Sequence, residues 1–125
     1  MAIVGIDHVQ LAMPPGEEMS ARAFYSDALG LVEIPKPPNL AIKGGAWFEN
    51  GLVKIHLGVD QEFRPARKAH PALLVEDLSA LVDKLSSLGI GIVSDEPLEG
   101  YHRVYVSDPF GNRIELMEPE YLGSE

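Results

Sequence analysis

Cysteine is absent from the 125-residue chain, which excludes disulfide scaffolds, thiolate metal sites and cysteine nucleophiles together. Long apolar runs are missing too. None approaches the ~18 residues needed to span a bilayer, and the start of the chain lacks a basic region followed by an apolar one. The sequence therefore reads as cytoplasmic, with no membrane partner. Basic residues are scarce: ten Lys and Arg stand against nineteen Asp and Glu, a net charge of −9. That field repels a polyphosphate and argues against nucleic acid as a partner. Apolar residues at 46% and charged residues at 23% rule out disordered and fibrous classes. The length suits one domain, or two half-domain modules sharing a core.

What is present is a repeat. Residues 3–13 are apolar and β-branched and read as a strand closed by Pro14-Pro15-Gly16. Residues 17–29 read as a helix with Phe24, Tyr25, Ala28 and Leu29 as its apolar stripe and Gly30 as its C-terminal cap. Residues 31–34 resume as a strand before the Pro35-Lys36-Pro37-Pro38 loop. Residues 46–48 and 52–59 form a hairpin around Glu49-Asn50-Gly51. The second half runs through the same order. Residues 71–75 read as a strand. Asp77 caps a helix with stripe Leu78, Leu81, Val82, Leu85 and Leu88, which Gly89 ends. Residues 90–93 read as a strand and residues 95–100 as a loop. Strands 103–107 and 113–118 follow, joined by Asp108-Pro109-Phe110-Gly111-Asn112. Each half is strand, helix, strand, strand, strand. The expected class is α+β: two βαβββ modules in one domain, module 1 about residues 1–60, a linker 61–69, and module 2 about residues 70–119.

The repeat extends to chemistry. Lys54-Ile55-His56-Leu57 aligns with Arg113-Ile114-Glu115-Leu116, while His8 and His70 open the first strand of each half. Side chains alternate faces along a strand. Ile55, Leu57, Ile114 and Leu116 are thus the natural helix contacts, and His56 and Glu115 point the other way. Any one of these histidines alone has an ordinary structural role. Together, three of the four histidines in the chain fall at repeat-equivalent positions with a carboxylate at the fourth. Imidazole nitrogen with carboxylate oxygen suits Zn, Ni, Co, Fe(II) or Mn rather than calcium. His102 falls on the face opposite Arg103 and Tyr105. Phe24 and Trp47 read as core, and Arg64, Arg67 and Lys68 as a solvated loop able to meet an anionic substrate.

Gly5-Ile6-Asp7-His8-Val9, Ala23-Phe24-Tyr25 with Leu29-Gly30-Leu31, and residues 108–116 resemble the vicinal oxygen chelate superfamily, which includes glyoxalase I, bleomycin-resistance proteins and type I extradiol dioxygenases. The resemblance covers nearly the whole chain, and the final motif is its most specific part. It implies a curled mixed sheet around a metal-binding cup, with one divalent metal ion per site held by His8, His56, His70 and Glu115. It also implies Tyr105 and Arg103 as substrate contacts, Tyr105 being similar to a tyrosine of fosfomycin-resistance thiol transferases. His56 departs from the glutamate usual in bacterial glyoxalase I and from the glutamine usual in methylmalonyl-CoA epimerases. Relatives this short commonly form homodimers that pair the first module of one subunit with the second of the other.

Three functions are then open. The first is a metal-dependent lyase or isomerase acting on a small oxygenated substrate, with Glu115 or His56 moving the proton. The second is an Fe(II) or Mn(II) dioxygenase built on His8, His70 and Glu115. The third is a metal-free drug-sequestering protein.

Overall fold

A β-strand needs a partner for its backbone groups, and the partner of each unit's first strand is its last. The structure, a computed structural model describing residues 2–120, divides into two compact units, Met1–Ala66 and Arg67–Glu125. In the first, the order is β1 (Val9–Met13), α1 (Glu18–Ala21) with a π-helical continuation over Arg22–Ala28, β2 (Val32–Ile34), α2 (Pro38–Ala41), β3 (Ala46–Asn50) and β4 (Val53–Val59). These strands form an open sheet of order β1-β4-β3-β2. β1 runs parallel to β4, and the other neighbours are antiparallel. In the second unit, β5 (Ala72–Leu74), α3 (Leu78–Ser87), β6 (Tyr101–Ser107) and β7 (Arg113–Pro119) build an open sheet of order β5-β7-β6, again parallel between first and last strands. The class is α+β, as expected. No helix among the described residues is long and apolar enough to cross a membrane.

The helix of the first unit supplies its core. Phe24, Tyr25 and Ala28 are buried, Tyr25 stacks on Phe48 at 5.5 Å, and Phe24 meets Tyr25 edge-on at 4.9 Å. Leu11, Met13, Ile55 and Leu57 complete that side of the sheet. Each such side chain contributes roughly 1.5–3 kcal/mol when removed from water. In the second unit Leu78, Leu85, Val106, Ile114 and Leu116 are buried. The Asp77 carboxylate accepts the Ala80 N–H at 3.0 Å, capping α3.

Several elements differ from expectation. The first strand begins at Val9, and Ile3, Val4 and Ile6 are almost fully exposed. Their β propensity finds no partner strand to pair with among the described residues. The first helix is regular for only four residues, then widens. Leu29 N–H donates to Phe24 O, five residues back, which brings adjacent Phe24 and Tyr25 both inward. A short helix, α2, stands where a loop was expected, started by Pro38 at its first position. The hairpin turns one residue late, at Gly51-Leu52, with Gly51 at φ +60° and Asn50 already paired to Val53. Residues 90–93 do not form a strand. Only Val93 bridges, to Tyr105. Leu88 is exposed rather than part of the buried stripe, because α3 ends at Ser87.

Candidate functional site

Each unit gathers one pair of the expected ligands. In the first, the register of β1, β4 and β3 sets Gln10, His56 and Trp47 side by side in one row across the sheet. Ile55 and Leu57 point to the opposite, helix-covered face. His56 is 6% exposed and lies between two rings: Trp47 at 4.1 Å and 6° on one contact, His8 at 4.2 Å and 18° on another. Trp47 is therefore half-buried and part of the site row, not core. Phe24 is core, as expected.

Oxygen acceptors orient the rings. His8 Nδ1 lies 2.9 Å from the Asp7 carboxylate, which itself sits 3.6 Å from Lys54 Nζ. The hydrogen bond from His8, then the Lys54 charge, holds the Asp7 carboxyl below its ordinary range. Since the carboxylate only accepts, the neutral His8 ring carries its proton on Nδ1 and leaves the Nε2 lone pair free. His56 Nε2 is buried with no hydrogen-bond partner among the described residues. Burial, and secondarily the neighbouring His8, pushes the His56 pKa down, so the ring is neutral at pH 7.

In the second unit, β7 sets Glu115 opposite Ala72 of β5 and Tyr105 of β6. His70 Nδ1 lies 2.8 Å from the Lys68 carbonyl oxygen, and its Nε2 lies 3.0 Å from Glu115 Oε1. The carbonyl only accepts, so in the neutral ring the Nε2 lone pair faces a carboxylate oxygen. That arrangement is repulsive unless a second ring proton or a cation lies alongside both atoms. Imidazole nitrogen and carboxylate oxygen are donor types that would suit a divalent ion.

Arg103 grips the other side of Glu115. Its Nη1 donates to Glu115 Oε2 at 3.2 Å and to the Tyr105 hydroxyl at 2.8 Å, and its Nη2 donates to the Glu96 carbonyl at 2.7 Å. Burial opposes the guanidinium charge, but the bonds to Glu115 and Tyr105 outweigh it and raise the Arg103 pKa above the usual value. Arg113 stacks over the Tyr105 ring at 4.5 Å, and His70 meets that ring edge-on at 5.3 Å. The β6–β7 connection is rigidified by Asp108. Its Oδ1 accepts the Phe110 and Asn112 N–H groups at 2.9 and 2.8 Å, and its Oδ2 accepts Asn112 Nδ2 at 2.9 Å.

Thus His8 meets His56, and His70 meets Glu115 with Tyr105 and Arg103. Among the described residues, no group of three or more His, Asp or Glu side chains forms a metal cluster. His102 is exposed, 3.8 Å from Glu120, and Arg64, Arg67 and Lys68 are exposed. Sequence reasoning missed Asp7, Trp47 and the occupation of Arg103. Asp7, adjacent to His8, was the one with a readable signal.

The model of one protein family, the Glyoxalase/Bleomycin resistance protein/Dioxygenase superfamily, matches residues 5–116. No curated protein sequence matches. Among solved structures, a Bacillus anthracis protein described as of the glyoxalase family is 49% identical over 96% of this chain and 98% of its own, with a TM-score of 0.92. The fosfomycin resistance protein FosX of Listeria monocytogenes is 16% identical over 94% of each chain, with a TM-score of 0.72. TnmS3, an antibiotic binding protein of Streptomyces sp. CB03234, is 20% identical over 96% of this chain and 99% of its own, with a TM-score of 0.74. The latter two likenesses are of fold alone.

Proposed function

The chain belongs to the Glyoxalase/Bleomycin resistance protein/Dioxygenase superfamily, and from that premise we propose that it is a divalent-metal-dependent enzyme, a lyase or isomerase acting on a small oxygenated substrate. The observation that carries this reading is His70. With Nδ1 committed to the Lys68 carbonyl, a neutral His70 turns its Nε2 lone pair to Glu115 Oε1 at 3.0 Å, an arrangement that a cation beside both atoms would relieve. The unpartnered, buried Nε2 of neutral His56 and the Asp7-oriented ring of His8 support the same reading. We take His8, His56, His70 and Glu115 as the ligand set for one divalent ion, and the functional form as a homodimer.

A bound ion would supply Lewis-acid stabilisation of negative charge developing on a substrate oxygen. The remaining work belongs to the side chains. Arg103 fixes Glu115 through Oε2, and Tyr105, with its hydroxyl held by Arg103, lines the substrate side. Both Glu115 oxygens are engaged, whereas His56 Nε2 is not. His56, as a ligand that would loosen from the ion, is therefore the first choice to accept a substrate proton, with Glu115 second.

The test is metal analysis of protein purified without a chelating column, followed by activity assays with each metal restored. Zinc, nickel or cobalt with isomerisation or lyase chemistry is expected. Iron with oxygen uptake would move the protein to the dioxygenase reading, and a metal-free protein with undiminished function would overturn the proposal.

A further inference from the structure

Beside the row of Gln10, His56 and Trp47, the next positions on the same face of β1 and β4 are Ala12 and Gly58. A Cβ on Gly58 would lie 2.5 Å from Gln10 Nε2, and one on Gly45, just before β3, would lie 2.2 Å from the Leu57 carbonyl oxygen. Gly58 lines a cavity of about 260 Å³ together with Gln10, Lys36, Leu40, Lys43 and Trp47, among others. The loop and the end of α2 thus bring two lysines to it.

Its charge has one sign. Lys36 and Lys43 line the cavity and no carboxylate does, in a chain where acids outnumber Lys and Arg nineteen to ten. Among the described residues, neither lysine has a carboxylate in ion-pair reach. Lys36 Nζ donates to the Gly44 carbonyl, which leaves two of its three N–H groups. The nearby Glu18 carboxylate accepts the Gly45 N–H at 2.8 Å. Two ammonium groups with no carboxylate in ion-pair reach, next to an indole and a leucine, form a receptor for an anion with an apolar body.

We propose that this cavity binds the anionic end of an amphipathic small molecule, a carboxylate, phosphate or phosphonate on a short apolar or aromatic body. Lys36 and Lys43 hold the anion, and Trp47 and Leu40 hold the body. The inference rests on the proposed function and deepens it, since it names the substrate class for the site reached through Trp47, which stacks on His56, but it is tested without metal.

Trp47 is the one tryptophan in the chain, so intrinsic fluorescence reports on this cavity. Metal-stripped protein is titrated with phenylphosphonate, phenylacetate and the neutral analogue phenylacetamide. Saturable fluorescence changes are expected with at least one acid, with phenylacetamide at least about tenfold weaker. Lys36→Gln and Lys43→Gln should each weaken acid binding about fivefold or more, and affinity should fall as NaCl rises. Circular dichroism checks that both variants fold. Failure of both acids to bind, equal binding of the amide, or unchanged affinity in both variants overturns the proposal. Because metal content is measured separately, loss of the metal reading leaves this result standing, and the reverse also holds.

Discussion

Replacing Asp108 with alanine removes the acceptor for three donors: the N–H groups of Phe110 and Asn112 and the Nδ2 of Asn112. Phe110 is half-buried and its N–H can be rehydrated. Asn112 is 1% exposed, so its two donors lose their acceptor away from water, at about 1–3 kcal/mol each. Against this, alanine relieves the burial of a carboxylate that is 4% exposed. The net loss should be about 2–4 kcal/mol, or about 6–20 °C in Tm for a chain of this length. Urea and thermal denaturation followed by circular dichroism measure it. A reciprocal exchange sharpens the test. Asp108→Asn alone sets two amide donors against each other, while Asp108→Asn with Asn112→Asp restores a donor–acceptor pair with reversed polarity. The double variant should recover at least about 1 kcal/mol relative to the sum of the singles. An Asp108→Ala cost under about 1 kcal/mol, or strict additivity in the exchange, would refute the account of this turn and weaken its role in setting Tyr105 opposite Glu115.

Glu115→Gln removes the anionic member of the proposed ligand set, and His70→Ala its neighbour; both should lower metal occupancy measured by elemental analysis, and full retention in both would dismiss the assignment. Acid should act through His56. Its folded pKa lies below the unfolded value of about 6.5, so the unfolded chain binds the extra proton and the stability contributed by the buried neutral ring falls as pH drops below that value. Urea midpoints between pH 7.5 and 5 should decline more steeply for the wild type than for His56→Gln; parallel curves would contradict this. Gly45→Ala, at φ +85° with the new Cβ 2.2 Å from a carbonyl oxygen, should cost well over about 2 kcal/mol, whereas Gly30→Ala, at φ +82° in open space, should cost about 1 kcal/mol. Similar losses at the two glycines would show that close approach is not what selects Gly45.

Alternation along the last strands was legible because β4 and β7 are amphipathic in a strict two-residue period. Ile55 and Leu57 are buried on one face with His56 on the other, and Ile114 and Leu116 flank Glu115 in the same way. The Asp77 cap and the Asp108 turn were legible because short polar side chains act on backbone a few residues away. Residues 3–8 were misread because propensity cannot show that no strand among the described residues lies beside them. The π-helical turn escaped because it is adjacent aromatics, not a 3.6-residue stripe, that demand it. Trp47 looked like core since only the β3–β4 register places it against His56. Arg103 looked like a free substrate contact since the Glu96 carbonyl comes from a loop of no regular pattern.

Parallel pairing of the first and last strands also sets a timetable. Val9 pairs with Ile55 and Ala72 with Glu115, so each ligand pair is brought together only when a whole unit has been threaded between its members. Closing a loop of that length carries about 3 kcal/mol of chain entropy, which local turns cannot offset early. A growing chain that has made His8 but not His56, or His70 but not Glu115, holds a single donor and no grip on an ion. On the proposed ligand set, capture of a metal would therefore come late in folding, and the same strands, being the ones held across the longest separation, would release it early in unfolding.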